Sequence, residues 1–219
     1  VTGAVIRTAD RANPVVEAFA VREGRILALG SAADVERFRG RRTRTLEVGD
    51  AAVYPGFVDV HNHGCARSTS PPTSRPSSGI PVIPQALADV LGERAEHSQP
   101  NQSLIDAGTL VAGGSDWPVS ESPNTLEGLQ GLVTRADPLG RAPGVLWPEQ
   151  AITAEEALEV FTINAATAMG LAADTGSLAV GKSADFVVLA RDAIAGPAEE
   201  IVHTEVISTW FAGREVYTR

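Results

Sequence analysis

Cysteine, lysine and methionine are nearly missing from this chain: Cys65, Lys182 and Met169 each stand alone among 219 residues. A single cysteine cannot close an intramolecular disulfide, so no covalent staple is expected. Long apolar runs are missing too, and no charged-then-apolar leader opens the sequence, so the expected setting is the cytoplasm and no membrane partner is expected. Positive charge is scarce, with 18 basic against 27 acidic residues and a formal net charge of -9. Phosphate backbones and anionic lipid surfaces call for basic patches, so nucleic acid is excluded as an expected partner. No repeat of solenoid length is visible. What remains, at 43% hydrophobic residues, is enough apolar material for a sizeable core of one or two domains.

The ends of the chain read as β-structure. Residues 15–29 form two β-prone runs meeting at Glu23-Gly24, a hairpin pattern, and Val206 to Tyr217 repeats it about Ala212-Gly213. Ser31 caps a short helical turn, and Thr43 to Val48 alternates like a strand. Gly176 to Ala190 reads as a turn followed by a strong strand. The middle is mixed. Phe57 to Val60 and Thr109 to Gly113 are short apolar runs of the kind buried on both faces of a parallel sheet. Helices are expected over Gln85–Glu96, Ser103–Ala107 closed by Gly108, Thr125–Ala136 and Thr153–Leu171, the last with Thr153 and Glu156 spaced as a capping box. Between them, residues 64–84 begin with a Ser/Thr/Pro-rich stretch without period, the composition of a linker.

Two residues apart on an extended segment, the imidazoles of His61 and His63 project from one face and can reach one metal. Taken bare, the pair reads more readily as two polar histidines beside a loop. Asp116, after an apolar run and the Gly113-Gly114 turn, reads by itself as a turn or capping aspartate. His97 and His203 lack a spacing partner and read as solvated histidines. Glu155, Glu156 and Glu159 read as the solvated start of a helix, where the dipole favours them. Asn164 reads as a packing or loop-bracing amide, and Cys65 as a non-ligand.

Tyr54-Pro-Gly-Phe-Val-Asp-Val-His-Asn-His resembles the motif that ends the first barrel strand in the amidohydrolase superfamily. Gly114-Ser-Asp-Trp-Pro-Val resembles the last barrel strand of its YtcJ-like branch, amidohydrolase family 3, related to N-substituted formamide deformylases. Thr162-Ile-Asn-Ala-Ala, followed by Gly176 to Leu189, resembles the helix and the return into the β-sandwich that come after it. The resemblance implies an α/β plus β fold, with a composite β-sandwich from residues 1–57 and 174–219. It also implies a (β/α)8 barrel domain confined to 58–173, with 64–84 as linker or deletion junction. A full barrel takes about 250 residues, so the second to roughly seventh strands are expected to be missing.

The same resemblance implies a divalent metal, zinc first, held by His61, His63 and Asp116. Asp116 would also carry the proton between water and leaving amine of a small-molecule substrate; Trp117, beside it, reads as a packing residue or as a substrate-binding pocket wall. The family's bridging lysine or glutamate and its two further histidines fall on the missing strands, and Lys182, in the return motif, is a poor substitute. The implied activity is metal-dependent hydrolysis of a non-peptide carbon–nitrogen bond. The alternative is a non-catalytic remnant that forms a homo-oligomer through exposed barrel strands.

Overall fold

The computed structural model describes residues 1–61, 90–95, 97–120 and 122–219. The expected linker over 64–84, most of the helix expected over 85–96, His63 and Cys65 lie outside the described residues.

Seven strands form one sheet: β1 (Thr2–Arg7), β2 (Val15–Arg22), β3 (Arg25–Gly30), β4 (Ala52–Pro55), β5 (Phe186–Leu189), β6 (Val206–Phe211) and β7 (Arg214–Thr218). Their order is β3-β2-β1-β4-β5-β6-β7. Only the β1–β4 pair is parallel, and the antiparallel β4–β5 pair joins the two ends of the chain. The structure thus has one continuous ladder where two layers were expected, and the ladder curls. The β2–β3 turn uses Glu23 at φ 52 and Gly24 at φ 79, and the β6–β7 turn uses Ala212 at φ 47 and Gly213 at φ 70, the left-handed pairs that suit strand twist. The two turns then touch: a Cβ on Gly24 would sit 2.8 Å from the Ala212 carbonyl oxygen. Within the curl, Phe19 meets Phe186 edge to face at 5.3 Å, and Phe186 stacks on Trp210 at 5.3 Å.

β4 and β5 are buried along their whole lengths because both faces are covered. Alternation sends Val53, Phe186 and Val188 into the curl with Ile6, Phe19 and Ile26, while Tyr54, Val187 and Leu189 turn toward the helices. The helical layer consists of α2 (Asn101–Asp106), α3 (Thr125–Thr134), α4 (Ala154–Val160) and α5 (Ile163–Ala168), with α1 (Ala32–Glu36) beside the β2–β3 hairpin. Leu129 and Leu132 of α3 and Ala157 and Val160 of α4 complete the core under Tyr54. No helix among the described residues is long and apolar enough to cross a membrane.

Four expected elements differ. The helix expected over Thr153–Leu171 is two helices, because Thr162 takes φ -130 and ψ -96 between α4 and α5. Thr43 to Val48 contributes only an isolated bridge between Thr2 and Glu47. Phe57–Val60 and Thr109–Gly113 are extended but not regular strands. Among the described residues the rungs are scattered, Val58 and Gly113 donating to Phe161 and Val160 and Val60 to Gly113, whereas a parallel strand needs continuous partners on both sides.

A polar clamp lies where the chain ends meet. Arg7 on β1 donates twice to Asp192 at 2.8 Å, Tyr54 on β4 donates its hydroxyl to the same carboxylate, and the Ile194 amide donates to Tyr54 Oη at 3.3 Å. Burial alone would raise the Asp192 carboxyl, but the hydrogen bonds from Arg7 and Tyr54 and the guanidinium charge outweigh it and hold it below its ordinary 3.8. Burial and the same carboxylate push the Tyr54 phenol upward. With a depressed folded value, the Asp192 contribution is complete above pH 3.8 and is lost as the pH falls below it through the lower folded value. Asp192→Asn leaves Arg7 with only the longer 3.8 Å approach to Glu155 and is expected to cost about 3 kcal/mol in urea unfolding at pH 7. The variant should also lose less stability than the parent below pH 3.8; equal acid slopes would show that the clamp is not the source.

Candidate metal and catalytic site

The site is assembled by the end of α4. Thr153 and Glu156 form the expected capping box at its start. At its end the Thr162 break turns two carbonyl groups outward: Val160 accepts from the Gly113 amide at 3.0 Å, and Phe161 accepts from the Val58 amide at 2.8 Å. One broken helix therefore supplies acceptors to both extended segments and sets them side by side. Val60 donates to Gly113 at 3.3 Å and Asp116 to His61 at 2.7 Å, completing the contact.

Close approach explains the glycines. A Cβ on Gly113 would lie 2.5 Å from the Phe161 ring, and one on Gly128 would also lie 2.5 Å from it. The ring is wedged between an extended segment and α3. Gly114 is as constrained, since a Cβ there would fall 2.6 Å from the His61 backbone nitrogen.

Asp59 locks the two segments together. Its Oδ1 accepts from the amides of His61 at 3.1 Å and Ser115 at 3.0 Å, and its Oδ2 accepts from the Ser115 hydroxyl at 2.6 Å. Ser115 Oγ in turn accepts from the Trp117 amide at 3.1 Å, and the Ser120 amide donates to Asp116 O at 3.0 Å. Asp116 adopts φ 57, a left-handed conformation that aspartate tolerates better than most residues. The outcome is that His61 Nε2 lies 2.9 Å from Asp116 Oδ1, with the side chains 46% and 31% exposed.

Of the expected metal ligands, His61 and Asp116 are thus brought together and His63 lies outside the described residues. Among the described residues no group of three or more metal-ligating side chains occurs. A borderline nitrogen donor beside a carboxylate oxygen, both open to water, is nonetheless a donor set suited to zinc. Trp117, 44% exposed, follows Asp116 and offers an apolar surface at the site's edge.

The remaining candidates are placed elsewhere. Lys182 donates to Ser177 Oγ at 2.7 Å and is lowered by burial. Asn164 braces the Val111 carbonyl at 3.1 Å. His97 packs edge to face on Trp147, and His203 ends a 3-10 turn (Ala198–His203). Glu159 is not simply solvated: it takes a two-pronged contact from Arg11 at 3.0 and 2.8 Å. Sequence reasoning passed over Asp59 and Ser115. The available signal was an aspartate two residues before a histidine at the end of an apolar run, where a carboxylate can collect amide donors.

The amidohydrolase family profile matches residues 80–217, and the chain belongs to that family. Residues of this chain are 37% identical over 130 positions to the N-substituted formamide deformylase of Arthrobacter pascens, covering 58% of this chain and 23% of that protein. YtcJ of Bacillus subtilis is 30% identical over 118 residues, covering 54% and 22%. The chain therefore spans less than a quarter of the length of these relatives. The crystal structure of an enamidase, described as a member of the amidohydrolase superfamily, superposes with a TM-score of 0.64 at 13% identity, covering 100% of this chain and 95% of that one. At that identity the likeness concerns the fold.

Gly114→Ala should push the His61 backbone away from the Asp116 segment. The expected cost is about 1–3 kcal/mol, read by chemical denaturation. Unchanged stability would mean that the two segments are not held in contact.

Proposed function

We propose that the chain hydrolyses a non-peptide carbon–nitrogen bond of amide or formamide type, with His61, His63 and Asp116 holding a divalent cation, zinc first. The single observation that carries this reading is the 2.9 Å approach of His61 Nε2 to Asp116 Oδ1 from two separate extended segments. Family membership supports a hydrolase, and the name of the Arthrobacter relative supports the bond class.

When bound, such a cation lowers the pKa of its water to about 7 and polarises a carbonyl oxygen. The chain's own residues do the rest. Asp116, partly exposed and held by its own backbone bond to His61, accepts a proton from water and returns it to the leaving amine in this reading. Asp59 touches no reacting atom in this scheme; it holds the His61 and Ser115 backbones, so its part is positional. Trp117 screens one side of a small substrate from water.

The test is metal content by mass spectrometry together with turnover on a panel of N-alkylformamides and small amides. Asp116→Asn is expected to lower kcat/KM by about 10²- to 10⁴-fold, and His61→Ala with His63→Ala to remove the metal. A metal-free, folded chain without turnover, or full activity in Asp116→Asn, would overturn the reading.

A further inference from the structure

Beside the His61–Asp116 pair lies a small cavity of about 20 Å³, walled by Asp59, Ser115, Ser122, Glu127, Gly128 and Phe161 among others. Its size admits one water or one bare ion. Glu127 is only 7% exposed. Its Oε1 accepts from the Ser122 hydroxyl at 2.7 Å, whereas Oε2 is shut off from solvent and meets no hydrogen-bond donor among the described residues. A buried carboxylate oxygen without a donor is costly, more so than a neutral group in the same position.

The charge balance is equally unfinished. Asp59 shares the cavity wall with Glu127, and among the described residues no lysine or arginine lines it. Glu127 stands in the first turn of α3, whose N-terminus is capped by Asn124 accepting from the Leu126 amide. A water molecule would supply a donor yet leave two carboxylates without a counter-charge. A cation supplies what both lack.

The wall also has oxygens to spare. Asp59 accepts three hydrogen bonds, which leaves one of its roughly four acceptor positions. Ser115 Oγ and Ser122 Oγ each donate to a carboxylate and accept one amide, from Trp117 and Asn124, so each keeps one lone pair. With no nitrogen or sulfur donor among these groups, the set suits a hard cation. A magnesium ion keeps several waters, for which the cavity has no room; calcium sheds its shell more readily.

We propose that Glu127 and Asp59, with the Ser115 and Ser122 hydroxyls, hold one dehydrated hard cation of calcium size, separate from the metal proposed at His61 and Asp116. Its effect is to fasten the segment after Asp116 to the start of α3. The proposal does not rest on hydrolysis, and its test does not read activity.

The full chain, stripped with chelator and dialysed, is titrated with CaCl2 at constant ionic strength and followed by thermal unfolding and calorimetry. A saturable rise in the unfolding midpoint of about 3–6 °C is expected at about ten times the Kd, with a smaller rise in MgCl2. The rise should persist in the His61→Ala/Asp116→Ala double variant and vanish in Glu127→Gln. Ser122→Ala, which keeps both carboxylates, should weaken calcium at least severalfold and serves if Glu127→Gln does not fold. An equal calcium response in Glu127→Gln, unchanged affinity in Ser122→Ala, or no saturable response in the parent chain would overturn the proposal, the last showing that the cavity holds water alone.

Discussion

The break after α4 is the constraint on which the rest of the middle depends. Had the helix continued through Thr162, the carbonyls of Val160 and Phe161 would have been absorbed by amides four residues on. Instead they accept from Gly113 and Val58, so two segments far apart in sequence are registered against one short stretch of backbone. The Phe161 ring does the same work on the other side, filling the space that Gly113 and Gly128 leave by having no side chain. Backbone and ring of one residue therefore fix the segment carrying His61, the segment carrying Asp116, and α3.

This arrangement lets irregular segments carry a defined geometry. Neither extended segment has a strand's continuous ladder, yet Asp59 replaces the missing rungs by collecting two amides and a hydroxyl on one carboxylate. Charge-assisted bonds of this kind are about twice as strong as neutral ones. A side chain thereby supplies part of what a neighbouring strand supplies in a regular sheet, and the left-handed Asp116 can turn its carboxylate back toward His61.

Much of this was legible in the sequence, for reasons that differ by element. The two hairpins were readable because Glu23-Gly24 and Ala212-Gly213 stand at positions that need positive φ, and they take it. The capping box at Thr153 was readable because it is local. The helix break at Thr162 was not: residues 153–171 keep a helical apolar pattern through it, and the break is stabilised by amides from remote segments. The strand character expected for 57–60 and 109–113 failed for the related reason that apolar composition reports burial, while a ladder depends on partners elsewhere in the chain. At the site, His61 and Asp116 could be named from motifs. The positional role of Asp59 and the buried carboxylate of Glu127 depend on contacts between segments and carry no local mark.

The sheet and the site-bearing helices are joined in two chemically different ways, and the difference matters. The apolar join, Tyr54 and Leu189 against Leu129 and Val160, supplies attraction but little direction, because apolar packing is non-directional. Direction comes from charged groups on the first strand and the turn after it. Arg7 engages Asp192 and approaches Glu155 at 3.8 Å, and Arg11 grips Glu159. The Glu155 and Glu159 contacts fall on α4, the helix whose end sets the two extended segments. Surface pairs such as Arg11–Glu159 add little stability, so they only trim how α4 sits on the sheet; its buried face, Ala157, Leu158 and Val160, holds it there, and the carbonyls of Val160 and Phe161 carry that position to the Gly113 and Val58 amides.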